Sequence, residues 1–195
     1  MTNGVSDPYA GLGFDNFGRA LLIKDDTTVL THTSSTAADN FLNYVVNGKP
    51  VTTLALWLKD VSLIDNQHGK MNFMWDNGVW FRLDLYASGR LGFTFYGGAW
   101  DSSSEYPQFD TPAVDWSKDG WWHVIFTSDG TNIIMKHRHE ADSVYQVDYD
   151  AQWQSTGSVS VSSIETFSVR GINANTYIDD LRVYNRVLSD SENNQ

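Results

Sequence analysis

Gly120-Trp121-Trp122-His123-Val124-Ile125-Phe126-Thr127-Ser128-Asp129-Gly130 is the stretch on which the fold turns. Residues 122–127 are aromatic, β-branched and apolar, a composition that belongs in a strand. Asp129-Gly130 follows, a pair that supplies the positive φ of a tight turn, and Thr131-Asn132-Ile133-Ile134-Met135-Lys136 then reads as a second strand. Strands joined by so short a link are antiparallel. The same grammar extends outward. Val79, Phe81, Leu83 and Leu85 share one face of a strand, as do Leu91, Phe93 and Phe95 after Ala87-Ser88-Gly89. Asp76-Asn77-Gly78 is a further hairpin turn, and Leu54, Leu56 and Leu58 alternate within Thr53–Lys59. More strands are expected at 19–24, 41–46, 70–75, 144–149, 164–170 and 176–185. Roughly ten or more short strands predict an all-β fold, a two-sheet antiparallel β-sandwich of the jelly-roll kind. Leu56, Phe81, Phe93, Val124, Phe126, Leu181 and Val183 are its expected core. One short helix is expected near Leu188–Glu192, capped by Ser189.

Composition narrows the function. The 195 residues suit one domain with a real core, and no internal repeat divides them. Thirteen Lys and Arg against 24 Asp and Glu give a net charge of −11, a field that repels phosphate backbones, so no nucleic-acid partner is expected. No apolar run reaches the roughly 18 residues of a membrane-spanning helix, so no membrane insertion is expected. Residues 1–20 have no basic start followed by an apolar block, so a secretory leader is not expected there. The absence of cysteine removes disulfides, thiolate metal sites and Cys nucleophiles together. Only four of the acids are Glu, and Asp is the residue of turns, caps and hard-cation sites. The eight Trp suit a sandwich core or a surface that stacks on sugar rings.

Residues 177–192 (YIDDLRVYNRVLSDSE) resemble the closing signature of laminin G-like jelly rolls, where a last strand runs into a short helix. Gly120–Gly130 resembles that family's central strand and turn, Leu54–Lys59 an earlier strand, and Ala20–Asp26 its first. The four matches fall in family order over residues 20–192. The resemblance implies a concanavalin A-like sandwich, and it implies no single function, because one fold hosts many. Most of the signature is also what the fold alone requires: Leu181 and Val183 are expected to turn inward, Asp180 and Arg182 outward.

The resemblance further implies a Ca²⁺ ion at Asp25 and Asp179, with Asp26 and Asp180 adjacent; Asp26 stands where the family has glycine. A glycan site is expected in the long polar loop of residues 97–119, where Trp100, Tyr106 and Trp116 offer flat faces and Asp101 and Asp115 offer hydroxyl acceptors; Tyr149 and Trp153 are further candidates. Catalysis is not expected. The glucanases of this fold use an E-x-D-x-x-E strand, and here no two Glu lie within 20 residues of each other. His137-Arg138-His139 places two imidazoles on one strand face, and with no third ligand at clear spacing it reads as exposed decoration. Residues 1–18 read as an extended arm before a sandwich at 19–195, with Tyr9, Phe14 and Phe17 as docking aromatics. A non-catalytic virion surface protein follows as an expectation: a decoration, head-fibre or tail protein of a bacteriophage, anchored by its arm to capsid or tail proteins or to itself. It would present a lectin-like face to cell-surface glycans. The alternatives are an extracellular carbohydrate-binding module of a secreted enzyme or adhesin and, more remotely, a polysaccharide hydrolase or lyase.

Overall fold

The structure is a computed structural model, and it describes residues 11–12, 19–24, 28–33, 45–46, 49–63, 69–75, 80–85, 91–96, 109–110, 120–152, 166–172 and 174–193. The strands are β1 (Gly11–Leu12), β2 (Arg19–Lys24), β3 (Thr28–Thr33), β4 (Val45–Val46), β5 (Lys49–Leu63), β6 (Gly69–Trp75) and β7 (Trp80–Leu85). They continue as β8 (Leu91–Tyr96), β9 (Phe109–Asp110), β10 (Trp121–Asp129), β11 (Asn132–His139), β12 (Gln146–Gln152), β13 (Thr166–Ile172) and β14 (Ala174–Tyr184), followed by a helix, α1 (Asp190–Asn193). Two antiparallel sheets result. An eight-stranded sheet runs β1-β2-β14-β5-β10-β11-β12, with β4 paired to β5; a six-stranded sheet runs β3-β13-β6-β7-β8-β9. This is the expected jelly-roll β-sandwich. Of the expected arm, Gly11 and Leu12 pair with Ala20 and Arg19 as the edge of the chain's own sheet. Tyr9, Phe14 and Phe17 lie outside the described residues.

The hairpin of β10 and β11 forms where the sequence places it. Ser128 pairs with Ile133, and the chain reverses through Gly130 at φ +87°. A side chain there would press on Val46, whose Cβ would stand 2.6 Å from the new carbon, so the turn needs glycine twice over. The Asp129 carboxylate accepts the N–H groups of Thr131 and Asn132 at 2.7 and 2.6 Å and closes the loop.

One face of the larger sheet looks into the sandwich. The register aligns Leu54, Leu56 and Leu58 of β5 with Phe126, Val124 and Trp122 of β10. These in turn meet Met135, His137 and His139 of β11. All are buried, and Leu54, Leu56, Leu58, Val124 and Phe126 completely so. His137 and His139 are therefore not exposed decoration. They stand on the core-facing side, with Trp122 at 5.8 and 4.9 Å between ring centroids. Leu181 and Val183 correct the expected core as well, since both are only partly buried. The cause is local: β2 accompanies β14 no further than Ile178, and a bulge between Asp179 and Arg182 shifts the pairing with β5. The side chains of Phe81 and Phe93 lie outside what is described.

The opposite face of β5 and β10 is buried too. From Val51 to Leu58, and from Trp121 to Ser128, every residue is buried. The chain's own C-terminal segment crosses that face. Thr53 Oγ1 donates to the Arg186 carbonyl at 2.9 Å and accepts the Leu188 N–H at 3.0 Å. Leu188 is buried, and Asp190 holds Lys136 of β11 at 2.6 Å. The crossing ends in α1, capped as expected by Ser189. The Glu192 carboxylate accepts both the Ser189 N–H (2.9 Å) and its hydroxyl (2.8 Å).

Candidate functional site

Antiparallel register lays side chains in rows across the outer face of the larger sheet. One row runs Asp179 (β14), Trp57 (β5), His123 (β10), Arg138 (β11). The next runs Arg182, Ala55, Ile125, Lys136, and the row on the other side holds Tyr177, Lys59 and Trp121. Ala20, Trp57 and Trp121 form a buried cluster against which Tyr177 packs. The site therefore comes from four strands, of which β5, β14 and the β10–β11 hairpin are distant from one another in sequence. The bulge at Asp180, whose φ is +47°, keeps Asp179 and Arg182 on the same face despite their odd spacing.

Trp57 and His123 stack nearly parallel, centroids 4.5 Å apart and planes 10° apart, and both are about 5% exposed or less. Tyr145, from the link between β11 and β12, folds over them and brings its hydroxyl 2.6 Å from His123 Nδ1. The His123 imidazole is pushed down to about 3, first by burial and then by the guanidinium groups of Arg138 and Arg182. It is neutral at physiological pH. Tyr145 has one proton to give, and the alternative acceptor, the Asn193 carbonyl, is 3.4 Å away. Two arrangements satisfy this geometry: Tyr145 donates to Nδ1 with the His123 hydrogen on Nε2, or Nδ1–H donates to the tyrosine oxygen and the Tyr145 proton goes to the Asn193 carbonyl; both tie the imidazole to the tyrosine. Burial raises the Tyr145 hydroxyl, against the opposing pull of Arg138.

Arg138 spans the cluster. Its guanidinium carbon lies 4.9 Å from the centre of the Tyr145 ring and 5.5 Å from that of Trp57. Other cations of this face are matched by acids: Arg182 by Asp180 and Arg186 by Glu192, at 2.6 and 2.8 Å. The arrangement has no nucleophile beside an activated base, because a neutral histidine fixed by a tyrosine is a positioning group. It offers a rigid cation among aromatic rings.

The sites expected from sequence stand as follows. Trp100, Asp101, Tyr106, Asp115 and Trp116, and Asp25 and Asp26, lie outside the described residues. Asp179 and Asp180 are described. Both Asp180 oxygens are engaged by Arg182, and Asp179 Oδ1 accepts the Asp180 N–H at 2.8 Å. This pair alone does not make a Ca²⁺ cradle, which takes six to eight oxygens. Among the described residues no three His, Asp or Glu gather as a metal site. Trp57, His123, Arg138 and Tyr145 were not singled out together by the sequence. The available signal was the unbroken Trp-Trp-His-Val-Ile-Phe run, whose lack of alternation marks a strand covered on both faces.

No family model and no curated protein matches the chain. Solved structures do. The binding domain of botulinum neurotoxin DC, in complex with rat synaptotagmin II, superposes with a TM-score of 0.54 at 14% identity over 92% of this chain. The same domain in complex with SialylT gives 0.53, 14% and 89%. Botulinum neurotoxin type C, whose uptake by cells depends on two ganglioside molecules, gives 0.54, 13% and 91%. At such identity the likeness is one of fold, and this chain spans 44–46% of the length of those chains.

Proposed function

We propose that this chain is a non-catalytic, lectin-like recognition domain that binds glycans. The observation that carries the reading is the fold: a jelly-roll sandwich superposing over about nine-tenths of its length on the binding domains of neurotoxins, one of which depends on gangliosides. The absence of paired Glu at glycosidase spacing in the sequence supports a binding role rather than hydrolysis. The virion surface remains the proposed setting, with capsid or tail proteins as partners of the N-terminal segment. A Ca²⁺ ion at Asp25, Asp26, Asp179 and Asp180 belongs to the same proposal.

A glycan array probed with the folded chain tests the reading: retention on a defined set of glycans supports it, and a blank array overturns it. Labelling of intact particles with an antibody to the domain tests the setting. A melting temperature unchanged by Ca²⁺ or chelator removes the ion, since a ligand bound only by the native state must raise it.

A further inference from the structure

We propose that residues 185–193 form a clip that lifts off the outer face of the larger sheet as one piece, ahead of any unfolding of the sandwich, and that ionic strength sets how often it is open. This is a property of the fold and does not rest on the glycan-binding reading.

The path of the segment follows from what it touches. Thr53 of β5 holds the Arg186 carbonyl and the Leu188 N–H, Lys136 of β11 holds Asp190, and the Tyr145 hydroxyl stands 3.4 Å from the Asn193 carbonyl. The line from Thr53 to Lys136 passes Ala55 and Ile125, which share the Lys136 row and are buried.

The docking is shallow. Leu188 alone of the nine residues is buried, and no residue of α1 is. A helix of four residues has too few turns to stand by itself. An element with so little buried apolar surface opens at a free energy below that of global unfolding.

The segment is also tied to itself. Arg186 meets Glu192 at 2.8 Å, Glu192 accepts the N–H and the hydroxyl of Ser189, and the Asn193 N–H reaches the Ser189 carbonyl at 3.0 Å. These bonds run within residues 186–193 and travel with them. Lifting therefore parts the fastenings at Thr53, Lys136 and Tyr145 together rather than one residue at a time.

One of those fastenings is ionic. The Asp190 side chain is 64% exposed where it meets Lys136, which is 19% exposed. Dissolved salt screens a pair with so open a partner, and it leaves the neutral bonds of Thr53 and the packing between the sheets untouched. Salt thus loosens the clip without loosening the sandwich, and an open clip leaves Ala55 and Ile125 facing water beside Lys136.

Amide hydrogen exchange of the full chain, followed residue by residue by NMR, tests this. The Leu188 N–H is the reporter, because its acceptor is Thr53 on the sheet. The N–H groups of Val124 and Phe126, in the central strand β10, report the sandwich. Leu188 is expected to exchange faster than both, with a urea dependence above zero and below theirs, the mark of a partial opening that uncovers surface. Raising the salt to about 1 M, where the screening length falls to about 3 Å, is expected to speed Leu188 about two- to fivefold and to leave the β10 amides as they were. Asp190→Asn is expected to reproduce the acceleration at low salt and to remove the salt response. Lys136→Asp combined with Asp190→Lys is expected to restore slow exchange and the response together. Leu188 exchanging no faster than Val124 and Phe126, showing no urea dependence, or ignoring salt overturns the proposal. The wild-type measurements decide the matter even if a variant fails to fold.

Discussion

His123 is a base placed where a proton is unwelcome. Its folded value of about 3 lies below the ordinary 6.5, so between those values the unfolded chain binds a proton that the native chain refuses. Stability from this residue is complete above about pH 6.5 and declines as the pH falls toward 3, by at most about 1.4 kcal/mol per pH unit. Urea unfolding between pH 6.5 and 5, above the carboxylate range, reads it when parent and variant are compared. His123→Phe keeps a ring on Trp57 and is expected to flatten the slope in that window; equal slopes in parent and variant would refute the assignment. Phe126 makes the contrasting prediction at this scale. It is fully buried and among the largest side chains so placed. Phe126→Ala should cost about 3–5 kcal/mol, with no new pH dependence. A loss under 1 kcal/mol on the same denaturation curve would show that the core side of β10 is wrongly read.

At the scale of elements, the C-terminal segment distinguishes this sheet from one with a solvated back. Beside the Asp190–Lys136 pair, one hydroxyl of Thr53 fastens it by serving two backbone groups, the Arg186 carbonyl and the Leu188 N–H. Thr53→Val preserves shape and strands both groups, at a cost of about 1–3 kcal/mol. Thr53→Ser, which restores the hydroxyl, should recover most of it. Hydrogen exchange at Leu188 reads the same event locally: it should accelerate in Thr53→Val and stay slow in the serine variant. The place of Ser189 just ahead of the short helix was legible from sequence because it is local. The path of the segment over β5 was not, because Thr53 and Arg186 are 133 residues apart.

At the scale of the whole molecule, removal of the N-terminal segment tests the proposed anchoring separately from folding. Deleting residues 2–17 takes away β1, a two-residue edge strand, and leaves the central strands β14, β5 and β10 intact. The melting transition should remain cooperative and glycan retention unchanged, while association with virion proteins is lost. Normal assembly by the truncated chain would end the anchoring proposal.

Much of this molecule was written locally. Alternation, β-branched and aromatic runs and Asp-Gly turns determined the strands, the β10–β11 hairpin and the all-β sandwich, because each depends on neighbours within about ten residues. Leu54, Leu56 and Leu58 were placed on one face by period alone, and all three are buried. The inward turn of His137 and His139, the partial exposure of Leu181 and the outer-face cluster were decided only by tertiary structure. Trp57, His123 and Arg138 share a row because β5, β10 and β11 adopt one register, and a slip of a single residue would send each to the other face. Whether the second face of a strand meets water or chain depends on what crosses it, here a segment from the far end of the sequence. Register and cover are long-range properties, and no window along the chain contains them.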